Sequence, residues 1–123
     1  MEKEKSKSFK DLIVWRKGHQ LVLNVYKATK HFPKEETYGL TSQLRRSSVS
    51  VAANIAEGFK KKGIADKLRY MNTAQGSLSE TDCHLLLAND LEYFNTNGLM
   101  SGANEIGRLL ESYVQGIKRN TNS

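Results

Sequence analysis

The sequence predicts an all-α protein that folds as an antiparallel up-down four-helix bundle. Apolar residues recur at spacings of three and four over most of the 123 residues, and no segment of useful length alternates as a strand would. The single proline, Pro33, leaves long stretches free to be helical. Four amphipathic helices joined by short loops favour antiparallel neighbours. One domain is expected over residues 9–119, with tails at 1–8 and 120–123.

The first helix is expected over about residues 11–31. Phe32-Pro33 should end it, because the residue before a proline is pushed out of helical geometry. One row of residues at spacings of three and four is the expected inward face: Leu12, Trp15, His19, Val22, Tyr26 and Thr29. The aromatic side chains Trp15, Tyr26, Phe32 and Tyr38 are expected to pack in the core or between subunits.

The second helix is expected over about residues 41–58, with Thr41 or Ser42 as its cap and Gly58 near its end. Its apolar stripe consists of Leu40, Leu44, Val51 and Ile55. The helix also carries an unusual number of small residues, which would let other helices approach closely: Ser47, Ser48, Ser50, Ala52, Ala53 and Ala56.

The third helix is expected over about residues 65–94 and the fourth over about residues 101–118, separated by a turn signal at 95–98. The expected inner side of the third helix consists of Leu68, Met71, Leu78, Leu85 and Leu86. That of the fourth consists of Ile106, Leu109, Leu110, Tyr113, Val114 and Ile117.

Several blocks in fixed order carry a family resemblance: Trp15, Phe32-Pro33, Glu36, Gly39-Leu40-Thr41, Gln43-Leu44-Arg45-Arg46, Ser50, the NIAEGF run at 54–59 and the AQGSLSE run at 74–80. Over residues 9–118 the chain resembles the four-helix bundle family of the 23S ribosomal RNA intervening-sequence protein. Residues 81–84 depart from the aliphatic pattern expected there. The resemblance implies a homopentamer with a central pore.

A related branch of that family implies possible partners. It is the accessory variability determinant of diversity-generating retroelements, a basic pentamer that binds nucleic acid and the reverse transcriptase. The resemblance therefore implies RNA or DNA as a partner, and a reverse transcriptase if the gene lies in a retroelement.

Charge is spread unevenly over the chain. Residues 1–62 carry 14 Lys+Arg and 6 Asp+Glu, a balance of +8, whereas residues 63–123 carry 5 and 7, a balance of −2. A basic half favours an anionic partner, with nucleic acid as the first candidate. The alternative is a basic surface that serves solubility, on a structural or protein-interaction module that binds no nucleic acid.

The candidate nucleic-acid contacts are cations in or near the expected loop after the second helix, together with one arginine: Lys60, Lys61, Lys62, Lys67, Arg69 and Arg45. Lysines on a loop can reach phosphates as mobile point charges. Weak, salt-sensitive and sequence-tolerant binding is expected.

A polar network is expected to fix the register between the second and third helices. Pairing about the loop at 60–63 would place Arg46 opposite Ser77, so that Arg46 or Arg45 could reach Glu80. The same pairing places Glu57 near Lys67. Asn54 inside a helix calls for a hydrogen bond across helices or subunits.

Catalysis, metal binding and cofactor binding are not expected. The three histidines are far apart in sequence, and no glycine-rich phosphate loop is present. Cys83 is expected to be a small buried side chain. The chain lacks an apolar run long enough to span a membrane and a secretory signal, and its one cysteine fits a reducing compartment, so the cytoplasm is the expected location.

Overall fold

The computed structural model describes residues 6–121, which form four long helices and two short 3-10 turns. The helices are α1 (Ile13–Thr29), α2 (Leu40–Lys60), α3 (Ile64–Asp90) and α4 (Asn97–Thr121). The described residues contain no strand. α2 packs against both α1 and α3, and α4 closes the bundle against α3 and α1. The predicted all-α four-helix bundle is confirmed.

The core runs the length of the bundle and draws on all four helices. The predicted stripe of α2 is confirmed, since Leu44, Val51 and Ile55 are fully buried. On α4, Ile106 and Leu110 are also buried, as predicted. Burial of a large aliphatic side chain contributes about 1.5–3 kcal/mol, so these positions supply much of the drive to fold.

The predicted inward face of α1 is wrong by one position. The buried row is Val14, Gly18, Leu21, Val25 and Ala28, together with Thr29 from the predicted row. This row packs on α2, and a Cβ at Gly18 would be in ordinary van der Waals contact, 4.0 Å from the Cα of Ala52. Close approach along this row leaves the larger aromatic row at the edge of the bundle.

The aromatic residues therefore differ in their surroundings. Phe32 is buried, whereas Trp15 is half-buried and stacks on His19 with 4.8 Å between ring centroids. Tyr26 is 40% exposed and Tyr38 is 95% exposed, so neither is a core residue of this subunit. Packing of Tyr38 between subunits stays a prediction.

α3 differs from its predicted form in its inner face and in its end. Leu85 is fully buried, but Leu86 is 52% exposed, contrary to prediction. The helix ends at Asp90, four residues early. Glu92 adopts a left-handed conformation with φ of 62°, and the Tyr93 N–H donates to the Ala88 carbonyl at 3.0 Å. This pattern is a Schellman motif, which normally uses glycine at the left-handed position.

The chain ends are more regular than the predicted tails within the described part. Ser8 caps a 3-10 turn at Phe9–Asp11, because its hydroxyl accepts from the Lys10 N–H and its own N–H donates to Asp11. α4 continues to Thr121. The remaining tail predictions, for residues 1–5 and 122–123, lie outside the described residues.

Candidate nucleic-acid interface

In the middle of α2 and α3, hydroxyl groups form the polar contacts between the two helices. The Thr81 hydroxyl donates to the Ser47 hydroxyl at 2.8 Å, and the Ser50 and Ser77 hydroxyls lie 2.8 Å apart. Asn54 donates its amide to the carbonyl of Ser50 at 2.8 Å and lies 3.1 Å from its hydroxyl. Asn54 thus reaches α3 only through Ser50, and its predicted direct bond across helices is replaced by a bond within α2.

The predicted ion pairs of this network are absent from the described residues. Neither Arg45 nor Arg46 contacts Glu80 within residues 6–121; the Glu80 carboxylate lies instead 3.3 Å from His84 on its own helix. Arg46 and Glu57 are exposed. The prediction that an arginine pairs with Glu80 is therefore wrong.

The reason is a shift in register between α2 and α3. The hydroxyl pairs place Ser50, not Arg46, opposite Ser77, which is about one helical turn further along α2. Lys61 and Gly63 have extended backbones, with ψ of 145° and 140°, so the connection is not a tight turn. The first turn of α3 consequently projects past the end of α2.

Gly58 lets the two helices approach closely near this connection. It lies inside α2, two residues before the helix ends, and it is buried. An added Cβ would lie 2.4 Å from the Met71 methyl group and 2.8 Å from the Tyr70 Cβ. Gly58 is therefore a packing residue rather than the helix end that its sequence position suggested.

Lys67 caps the end of α2. Its ammonium donates to the carbonyl of Phe59 at 2.8 Å and lies 3.4 Å from the carbonyl of Gly58, which also accepts from the Lys61 N–H at 3.1 Å. Lys67 lies on α3, so the bond also joins the two helices. Burial lowers the pKa of Lys67. Glu57, which was predicted to lie near Lys67, forms no ion pair with it within residues 6–121.

Arg45 joins α1 to α2. Its Nε donates to the Thr29 hydroxyl at 2.8 Å, and its guanidinium carbon lies 4.4 Å from the centroid of the Tyr26 ring. The contact with the ring is a cation–π interaction. Arg45 is remote from the lysines of the α2–α3 connection, and its hydrogen bonds serve packing of α1 on α2.

The three consecutive lysines lie at the α2–α3 end. Lys60 and Lys62 are exposed, and the ammonium of Lys61 lies 5.2 Å from the centroid of the Tyr70 ring. Arg69 lies 4.8 Å from the same ring centroid. It also donates to Asp66 at 3.0 Å, and this hydrogen bond is the main cause that raises the pKa of Arg69.

Of the six predicted nucleic-acid residues, the structure brings five to one end of the bundle and places Arg45 elsewhere. Lys60, Lys61 and Lys62 form no ion pair with a described residue; we call these three the lysine loop. Arg69 and Lys67 are already engaged by Asp66 and by the α2 carbonyls. The lysine loop is thus the part of the predicted site that remains available.

A polar contact at the opposite end was not predicted. The two oxygens of Glu36 accept from the Leu40 N–H at 2.9 Å and from the Tyr93 hydroxyl at 2.7 Å. These two hydrogen bonds lower the pKa of Glu36, and the same contact raises the pKa of Tyr93. Nothing in the sequence indicated the contact itself, because Glu36 and Tyr93 are 57 positions apart. The one signal for Glu36 was its place among the family blocks.

Other chemical groups are dispersed. Within residues 6–121, no cluster of three or more His, Cys, Asp or Glu side chains could hold a metal ion. Cys83 is exposed, which contradicts its predicted burial. None of the helices in the described part is both long and apolar enough to span a bilayer.

Comparisons with known proteins agree with the fold. A solved protein of unknown function from Bacteroides thetaiotaomicron, assigned to the S23 ribosomal protein family, is 25% identical in sequence. It superimposes with a TM-score of 0.77, over 83% of this chain and 98% of that one. The search of curated proteins found no match. A family model described as 23S rRNA-intervening sequence protein matches residues 10–112. The chain therefore belongs to the 23S rRNA-intervening sequence protein family.

Proposed function

We propose that this protein is a non-enzymatic, cytoplasmic, oligomeric bundle that binds nucleic acid with low sequence specificity. The lysine loop is the observation that carries the proposal. Lys60, Lys61 and Lys62 are consecutive cations that have no ion-pair partner within residues 6–121. Lys60 and Lys62 are exposed at the end of the bundle, where phosphates could approach them.

The chemistry of this loop favours phosphate over base recognition. Lysine ammoniums act as point charges with no preferred plane, so they contact phosphates without reading sequence. The nearby aromatic ring, Tyr70, already lies against Lys61 and Arg69. Binding should therefore depend on salt, with a slope of about −0.7 per neutralised phosphate on single strands and about −0.9 on duplex DNA.

We propose further that the subunits assemble into a homopentamer, which would repeat the lysine loop five times around a ring. Large apolar side chains on the outer faces support self-association. Leu86 and Leu87 on α3, and Leu91 just after its end, are each about half exposed, and Val49 on α2 is 42% exposed. Such side chains favour burial between subunits. Sedimentation at micromolar concentration tests the assembly, and a monomer would contradict it.

The second candidate function is a protein-interaction module that binds no nucleic acid. The same exposed leucines favour it, because apolar side chains on an outer face can also pack against a protein other than a second subunit. A reverse transcriptase is the partner that the retroelement resemblance implies. In this alternative the basic charge would serve solubility or contact with an acidic protein.

A fluorescence anisotropy titration separates the two candidates. Labelled single-stranded RNA and duplex DNA are titrated with the full chain at a low and a high salt concentration. Nucleic-acid binding predicts dissociation constants on the order of 10⁻⁶–10⁻⁴ M that rise with salt. Replacing Lys60, Lys61 and Lys62 by alanine should weaken this binding. No binding at low salt would reject the first function and leave the interaction module.

A further inference from the structure

A cleft of about 990 Å³ opens at the lysine-loop end of the bundle, but the lysine loop does not line it. It lies where α1 and α3 begin and where α2 and α4 end. Its apolar lining includes Leu12, Ile13, Phe59, Ile64, Leu109 and Tyr113. Ile13 is 55% exposed there. The volume is near the upper limit of small-molecule sites, which measure about 300–1,000 Å³.

Two cations also line this cleft. Lys67 has three N–H donors, and the described residues provide it with two acceptors, the carbonyls of Phe59 and Gly58. Arg119, in the last turns of α4, forms no ion pair with a described residue. No Asp or Glu is among the described residues that line the cleft. The charged side chains that the described residues contribute to the cleft are therefore cations.

Partial burial of Lys67 strengthens the attraction between its ammonium and an anion. The side chain is half-buried, and loss of water lowers its pKa without any opposing contribution from a nearby carboxylate. A charge in such a position gains more from an anion than an exposed lysine does, because screening by water is weaker. An anion bound beside Lys67 would also use its remaining donor.

We propose that the cleft binds an amphipathic carboxylate, an aliphatic chain with a single acid group. The chain would lie against Ile13, Ile64 and Leu109, and the carboxylate would be held by Lys67 and Arg119. Branched aliphatic walls suit a hydrocarbon chain, and cations on the lining of the same cleft suit a carboxylate. This site is separate from the proposed nucleic-acid contact, because the lysine loop lies outside the cleft.

Calorimetric titration of the full chain with three ten-carbon probes tests the ligand class. Decanoate, used below its micelle concentration, should bind saturably with one site per subunit. Decanol should bind at least about tenfold more weakly, because it lacks the charge-assisted hydrogen bonds. Decyltrimethylammonium should bind no better than decanol. Absence of saturable decanoate binding, or equal affinity for all three probes, would overturn the proposal.

Two substitutions locate the site. Ser112 is exposed and lines the cleft, so Ser112→Trp should fill the cleft without disturbing the core and should weaken decanoate binding at least about tenfold. Arg119→Met should weaken it severalfold by removing one cation, and it leaves the α2 cap intact. The matched control, Lys62→Met, removes a cation outside the cleft and should leave affinity unchanged. Unchanged affinity in both cleft variants would overturn the assignment.

The same variants keep this proposal distinguishable from nucleic-acid binding. Ser112→Trp should retain the RNA affinity of the unmodified chain, because the lysine loop is intact. Circular dichroism confirms that each variant is folded. Loss of RNA binding together with decanoate binding in folded Ser112→Trp would show that the two sites are not separate, and would overturn the proposal.

Discussion

The two ends of the bundle differ in how their polar groups are used. At the end that contains Pro33, Glu36 binds both the Leu40 N–H and the Tyr93 hydroxyl, and the Phe32 ring lies 5.6 Å from the Tyr93 ring. We call this the closed end. At the other end, the lysine loop has no carboxylate partner within residues 6–121. Hydrogen-bonded groups hold the connections together at one end, whereas the connection at the other end carries three consecutive cations without a carboxylate partner among residues 6–121.

This contrast separates stability from binding. Substitutions at the closed end should change the free energy of unfolding and leave binding alone. Substitutions in the lysine loop should weaken nucleic-acid binding and leave the free energy of unfolding nearly unchanged. Gly58 and Lys67 lie beside the lysine loop but belong to the packing of α2 on α3, so their substitution should change stability rather than nucleic-acid binding.

The largest effect is expected for Gly58→Val. The new side chain would meet Met71 and the Tyr70 Cβ, so the free energy of unfolding should fall by about 2–3 kcal/mol. Urea denaturation measures the change. The matched control is Gly76→Ala, because a Cβ at Gly76 meets nothing within 4 Å. That variant should gain about 0.5–1 kcal/mol. Equal effects of the two variants would refute the packing role of Gly58.

Replacing Lys67 by methionine should remove the cap of α2. The Phe59 carbonyl would lose its donor, so the free energy of unfolding should fall by about 1 kcal/mol. Lys62→Met, which removes an equal charge from an exposed position, should change it by less than about 0.5 kcal/mol. Thermal denaturation compares them, and equal losses would show that charge rather than capping matters.

At the closed end, Glu92→Gly should stabilise the protein. Glu92 has φ of 62°, where a side chain is strained, and glycine removes that strain. The free energy of unfolding should rise by about 0.5–1 kcal/mol. Glu92→Ala is the control, because it removes the carboxylate but keeps a Cβ. If alanine stabilises as much as glycine, the cause is the charge and not the backbone.

The smallest effect concerns pH. Hydrogen bonds from the Leu40 N–H and the Tyr93 hydroxyl lower the pKa of Glu36 below its ordinary 4.5. The stability that this carboxylate contributes is therefore present above about pH 4.5 and is lost as the pH falls through the lower folded-state pKa. Tyr93→Phe should reduce this acid dependence. Denaturation curves at a series of acidic pH values measure it; an unchanged dependence would contradict the contact.

The sequence predicted the fold because its strongest patterns are local. The stripe of α2 from Leu44 to Ile55 follows the helical period and is buried as expected. On α1, two rows lie one position apart, and the row that is buried contains Gly18, which packs near Ala52 of α2. Periodicity is judged from apolar side chains, and glycine has none. The sequence therefore favoured the row with the large aromatic residues.

The candidate site was predictable in part. The lysine loop could be found because consecutive lysines beside a glycine indicate an exposed connection. The partners of Arg45 and Lys67 could not, since they depend on the register of α2 against α3 and on the packing of α1. An extended connection shifted that register by about one turn, which replaced the predicted ion pair at Glu80 by the hydroxyl contact between Ser50 and Ser77.

The salt dependence of RNA binding in two triple-alanine variants tests the contrast between the ends most directly. One variant replaces Lys60, Lys61 and Lys62; the other replaces three exposed lysines near the closed end, Lys27, Lys30 and Lys34. Both lose the same charge. The first should reduce the slope of log K against log salt by about 2 in magnitude on single-stranded RNA, and the second should leave it nearly unchanged. Equal slopes in the two variants would contradict a dedicated binding end.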